Sequence, residues 1–77
     1  MAKLRKFSGF VTRWKYEFGH GFVRINEMSG RDAFLHVAGF EEFTAPDQVC
    51  VGMKLEFFLE NAPKGLRAFR AVRSESE

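Results

Sequence analysis

His20 and His36 are the two histidines of this 77-residue chain. With Cys50 they are the side chains through which acid–base, nucleophilic or metal chemistry would run. No Cys, Asp or Glu follows either histidine at ligand spacing, no second cysteine accompanies Cys50, and no nucleophile–base pair with an orienting third group is apparent. Neither an enzyme nor a metal site or other cofactor is expected. What the histidines share is their company. "FGHGFV", residues 18–23, sets Phe18, His20 and Phe22 two apart with glycines between, and "AFLHV", residues 33–37, repeats the spacing with Phe34 and His36. Rings on one face of adjacent strands can stack on unpaired bases, each stack contributing about 1–3 kcal/mol. Lys and Arg at the rim would hold the phosphates. Such a face could also dock a protein or a second copy of the chain; the pattern favours nucleic acid but leaves that second reading open.

The elements that must position these rings are strands. From Phe7, "FSGFVTRW" puts Phe10, Thr12 and Trp14 on one face and Val11 and Arg13 on the other, by period-two alternation. "KYEF" and Gly19 make a tight connection into "HGFVRI", where His20, Phe22 and Arg24 oppose Gly21, Val23 and Ile25. "NEMSGRD" is a turn signal. Beyond it, Phe34 and His36 oppose Ala33, Leu35 and Val37. A core of Val11, Val23, Ile25, Ala33 and Leu35 is thus expected. The opposite face carries Trp14, His20, Phe22, Phe34 and His36, with Thr12 and Arg24 among them. Gly19 and Gly21 remove bulk on the core side and let the strand bend, as closing a small barrel requires.

The second half has a weaker pattern. "AGFEEFTAPDQVCVG" has the Gly, Pro and acid density of a loop, and Cys50, between two valines, is expected as a buried or half-buried small apolar residue. "MKLEFFLE" and "GLRAFRAVR" fit either period two or a helical turn, but "NAPKG" between them is hairpin chemistry, which favours strands. An RNA-recognition-motif module needs two amphipathic helices. Only residues 38–52 leave room for one, and Gly39, Pro46 and Gly52 argue against it.

The totals bound the rest. Residues 1–77 read as one domain with a short basic lead (1–6) and a polar tail (74–77). A domain this small buries only about 60% of its unfolded surface. One cysteine permits no intramolecular disulfide, and no targeting segment or run near the ~20 apolar residues of a membrane span is present. A soluble cytoplasmic protein with no membrane partner is the expectation. Charge is unevenly spread: residues 1–31 hold seven Lys/Arg against two Glu, whereas residues 32–60 hold one Lys against six Asp/Glu. This points to a basic and an acidic side, although ordinary solvated charge explains it as well.

"FGHGFV" followed by "DAFLHV" resembles the paired ribonucleoprotein motifs of the cold-shock domain family, Lys-Gly-aromatic-Gly-Phe-Ile and then Val-Phe-Val-His-Phe. Gly9 and Val11 match the family's first strand, "VGMKLEF" (51–57) resembles its fourth, and "KGLRAFRAV" (64–72) its last. The resemblance implies an all-β, five-stranded antiparallel OB-type barrel binding single-stranded RNA or DNA with low sequence preference, in an RNA-chaperone or antitermination-type role. The alternative is the same barrel with its aromatic face turned to protein contact or self-association, as a weak homodimer or a strand-exchanged dimer. Carried over by position, Phe22, Phe34 and His36 keep the family's residue types, and Trp14 keeps an aromatic where the family has Phe. Phe43 supplies the loop's ring, and Lys64 a phosphate contact. There are departures. Arg13 stands in place of the family's surface Trp, His20 in place of the central aromatic, Phe18 in place of Lys and Val37 in place of Phe. The turn "NEMSGRD" is also longer than the family norm. Guanidinium and imidazole still stack, so a weaker and more charge-dependent binder is expected. The expected interface is Thr12, Arg13, Trp14, His20, Phe22, Arg24, Phe34, His36, Phe43 and Lys64.

Overall fold

β-branched and aromatic residues at alternate positions, punctuated by glycine turns, produce five strands in the computed structural model, which describes residues 5–74. Residues 1–4 of the basic lead and 75–77 of the polar tail lie outside the described residues. The strands are β1 (Lys6–Lys15), β2 (His20–Ile25), β3 (Asp32–His36), β4 (Lys54–Ala62) and β5 (Gly65–Arg73). They close into a barrel in the order β1-β2-β3-β5-β4, with β4 returning to β1. Pairing is antiparallel except at the β3–β5 seam, where Phe34 meets Arg67 in parallel register. At that seam closure rests on this one pair, with an isolated parallel bridge between Phe40 and Ala71 beyond it. The described residues contain no α-helix, only 3₁₀ turns at Val37–Gly39 and Pro46–Gln48. No helix among them is long and apolar enough to cross a membrane.

The barrel interior takes the expected Val11, Val23, Ile25, Ala33 and Leu35, and adds Val49, Leu55, Phe57, Ala68 and Ala71, all essentially inaccessible. Phe57 is the largest; burying such a side chain stabilises the fold by about 1.5–3 kcal/mol. The "NAPKG" hairpin forms as expected, with Ala62 opposite Gly65 across Pro63 and Lys64.

Cys50 departs from expectation: it is exposed. Val49 takes the core position, and Cys50 opens a turn in which its carbonyl accepts from the Met53 N–H at 3.1 Å. The turn then bonds to β1 through the Gly52 N–H and the Val11 carbonyl, at 2.7 Å.

Two bulges shape the strands. In β1 the register with β2 shifts between Val11 and Arg13, so Thr12 is an extra residue. In β5 the register with β4 shifts beyond Phe69, so that Ala68 and Ala71, three apart, both reach the core. That shift explains one helix-like interval in "GLRAFRAVR", from Phe69 to Val72.

Candidate nucleic-acid interface

The outer face of β2 and β3 is a two-by-two block of rings. His20 lies opposite His36 and Phe22 opposite Phe34. The Phe22 and Phe34 rings meet edge to face at 6.0 Å between centroids. His20 tilts against Phe34 at 5.1 Å and against His36 at 6.4 Å. Phe18 extends the row: it is 63% exposed and stacks on His20 at 5.6 Å with 19° between planes. Phe22 is 40% exposed, held in place by neighbouring rings while its surface remains open.

β1 supplies the next column, through its bulge. Thr12 donates its hydroxyl to the Phe22 carbonyl at 3.3 Å, and beyond it the alternation of β1 inverts. Arg13 pairs with Phe22 and Lys15 with His20, so both cations flank the rings. Trp14 pairs with Gly21 and turns inward. It packs half-buried against the core, and its indole N–H donates to the Pro46 carbonyl at 2.9 Å. The expected faces of Arg13 and Trp14 are therefore exchanged. Gly21 makes this possible: a Cβ there would stand 2.0 Å from the Arg13 carbonyl oxygen and 2.8 Å from the Trp14 ring. The glycines of "FGHGFV" serve the inner side, where Gly21 lets β1 and its tryptophan close onto β2. Gly19, at φ +66°, makes the turn that enters the strand.

The opposite wall is the β4–β5 hairpin. Together the walls enclose a cleft of about 810 Å³. Five cations line it (Arg13, Lys15, Arg31, Lys64 and Arg67) against one carboxylate, Asp32. The field within it therefore favours an anion. The carboxylate is engaged: Asp32 holds the Arg24 guanidinium across the β2–β3 ladder. Arg67 is likewise held by Glu60, through its Nε at 2.8 Å. His36 Nδ1 accepts from the Ala38 N–H at 3.0 Å, which orients the ring and leaves Nε2 to carry the proton of the neutral form. Below the cleft, the Glu27 carboxylate accepts from the Ser8 backbone N–H at 3.0 Å and the Ser8 hydroxyl at 2.9 Å, pinning the β2–β3 turn to β1. The backbone N–H in particular holds the Glu27 carboxyl below the usual glutamate range.

Of the ten expected residues, Arg13, His20, Phe22, Phe34 and Lys64 meet in the cleft. His36 continues the ring row and Thr12 forms the bulge beside it, while Arg24 is tied to Asp32 at the margin. Trp14 does not join them. Nor does Phe43, which is 94% exposed beside a separate depression of about 380 Å³ lined by Phe40, Gln48 and Arg73. Lys15, Arg31 and Arg67 line the cleft without being among the expected residues. Lys15 owes its place to the bulge, and Arg67 to the parallel seam.

The chain is similar to the solved structure of Drosophila Unr CSD456, with a TM-score of 0.73 and 19% sequence identity. The fold is cold-shock-like. The match covers 94% of this chain and 28% of the Unr chain, so the protein spans little more than a quarter of that neighbour's length. No family model matches the sequence, and no curated protein sequence does.

Proposed function

We propose that this barrel binds single-stranded nucleic acid, RNA or DNA, by stacking bases on His20, Phe22 and Phe34 while the cleft's cations hold the phosphates. One observation carries the reading: the exposed Phe22 and the half-buried His20 and Phe34, on two strands, face a cleft in which cations outnumber carboxylates five to one. A surface for apolar protein contact would not surround its rings with that charge. Stacking needs unpaired bases, and every base offers a π-face, so low sequence preference follows. A protein that holds strands open in this way acts as an RNA chaperone, and the cold-shock-like fold and the ring motifs support that role. His20 and Arg13, standing where the family resemblance places large aromatics, shift the balance from stacking toward charge.

The test is fluorescence anisotropy against oligo-U, oligo-dT and a duplex of matched length and salt. Both single strands should bind well above the duplex. Equal affinity for all three would leave only non-specific charge attraction. Absence of binding, with concentration-dependent dimerisation that burial of the rings explains, would instead make this face a protein-contact surface.

A further inference from the structure

The row of rings does not end at β3. Around the barrel the next strand is β5, where Arg67 stands beside Phe34, and two residues along it is Phe69. Phe69 faces Phe58 across the β4–β5 ladder, with ring centroids 5.8 Å apart. Lys6 on β1 is the next partner; its ammonium lies 5.9 Å from the Phe58 centroid. The Arg70 guanidinium carbon lies 5.6 Å from the same ring.

Arg70 is the unusual member. It sits at the β5 bulge with φ +53°, the one non-glycine residue with positive φ among those described. Glycine adopts that conformation freely and an L side chain does not. An arginine in a glycine's position, with its guanidinium laid over a ring, suggests that the side chain is being used. Arg24 and Arg67 are paired with Asp32 and Glu60, and Lys6 lies 3.7 Å from the Glu56 carboxylate, whereas Arg70 meets no carboxylate within ion-pair distance among the described residues. A guanidinium resting on an aromatic keeps its edge N–H groups available for a bidentate contact, and phosphate is the anion that geometry suits.

We propose that Phe69, Phe58, Arg70 and Lys6 form a second contact station for the same nucleic-acid strand, reached when the strand runs past Arg67 and out of the cleft. Strand spacing and rise place the Phe69 backbone about 8 Å from that of Phe34. Two or three nucleotides bridge such a gap, since even stacked nucleotides rise about 3.4 Å each. The station rests on the single-strand reading of the cleft, yet it makes a separate claim: affinity should grow with ligand length through these residues.

The experiment compares oligo-dT of about 3 nucleotides, enough for His20, Phe22 and Phe34 but not for the gap beyond them, with oligo-dT of about 12, within the range of OB-type site sizes. Arg70→Gly is the decisive variant because glycine suits the bulge, so the fold is kept while the guanidinium is lost; Phe69→Leu is the second, and thermal melts confirm that both are folded. For the longer strand, Arg70→Gly should weaken binding roughly 3- to 10-fold and lower the slope of log K against log salt by about 0.7. Binding of the shorter strand should not change. Phe22→Ala, by contrast, should weaken both lengths. If Arg70→Gly binds both as wild type does, or weakens both equally, the station is overturned. If Phe22→Ala leaves the short strand unaffected, the cleft reading fails instead, and the length contrast of Arg70→Gly still decides the station.

Discussion

β1 and β2 lie side by side in the same ladder, yet only one of them obeys simple alternation. β2 runs without a bulge, and every residue from His20 to Ile25 falls on the face its parity assigns. β1 obeys the rule to Val11, admits Thr12 as an extra residue, and is inverted beyond it. The difference shows how one inserted residue divides labour within a strand pair. β2 presents rings outward. β1, by slipping one place, sends two cations out beside them and a tryptophan in beneath them.

The inversion can be broken most severely at Gly21, which lies against the backbone of Arg13 and the ring of Trp14. Gly21→Ala would place its methyl on the Arg13 carbonyl. A loss of about 4 kcal/mol or more is expected, as failure to fold or a collapse of the denaturant midpoint. Wild-type stability for this variant would mean that β1 is free to move away. Trp14→Ala should follow, costing about 3 kcal/mol through lost packing against the core. Its effect on oligonucleotide affinity per folded molecule should be small. A ligand-binding tryptophan would give the reverse result.

On the regular strand the consequences move from stability to binding. Phe22→Ala should leave the melting temperature nearly unchanged and weaken single-strand binding by about 1–3 kcal/mol. Loss of fold without loss of affinity would place Phe22 in the core. The smallest predicted binding effect separates two arginines. Arg13→Gln should lower the salt slope by about 0.7, whereas Arg24→Gln should change it much less, because Asp32 already engages Arg24. Equal slopes for the two variants would deny the bulge its electrostatic role.

Glu27 offers a still finer test, of what pins the β2–β3 turn to β1. Its carboxyl is held below the usual range in the fold, so its contribution is present above the unfolded value and fades as pH falls through the folded one. The group is largely exposed, and less than about 1 kcal/mol is at stake. Wild type should melt slightly above Glu27→Gln at neutral pH, and the two should converge in acid. A gap that persists unchanged at low pH would remove the linkage.

These contrasts also mark how far the sequence can be read. The five core residues expected from the first half, the shared outer face of His20, Phe22, Phe34 and His36, and the hairpin at "NAPKG" follow from parity and turn chemistry. Trp14 and Lys15 do not. A bulge leaves no compositional mark at Thr12, and parity propagated past it assigns each later residue to the wrong side. The β5 bulge hid strand character in the same way, giving Ala68 and Ala71 a helical interval. Cys50 was obscured by a different cause: three residues in "VCV" compete for one core position, and the turn geometry selects Val49. Arg67 could not be placed from its own strand at all, since the seam with β3 joins segments more than thirty positions apart.

The placement of Trp14 has a spectroscopic consequence. It is the chain's single tryptophan, with its indole N–H committed to the Pro46 carbonyl and its ring packed over Gly21. Its emission therefore reports whether β1 and the segment before β4 are docked together. A denaturation curve followed by tryptophan fluorescence measures closure of the barrel. A titration with nucleic acid followed the same way should show little quenching at saturation, because the rings proposed to meet the bases are phenylalanine and histidine, which do not emit in that window.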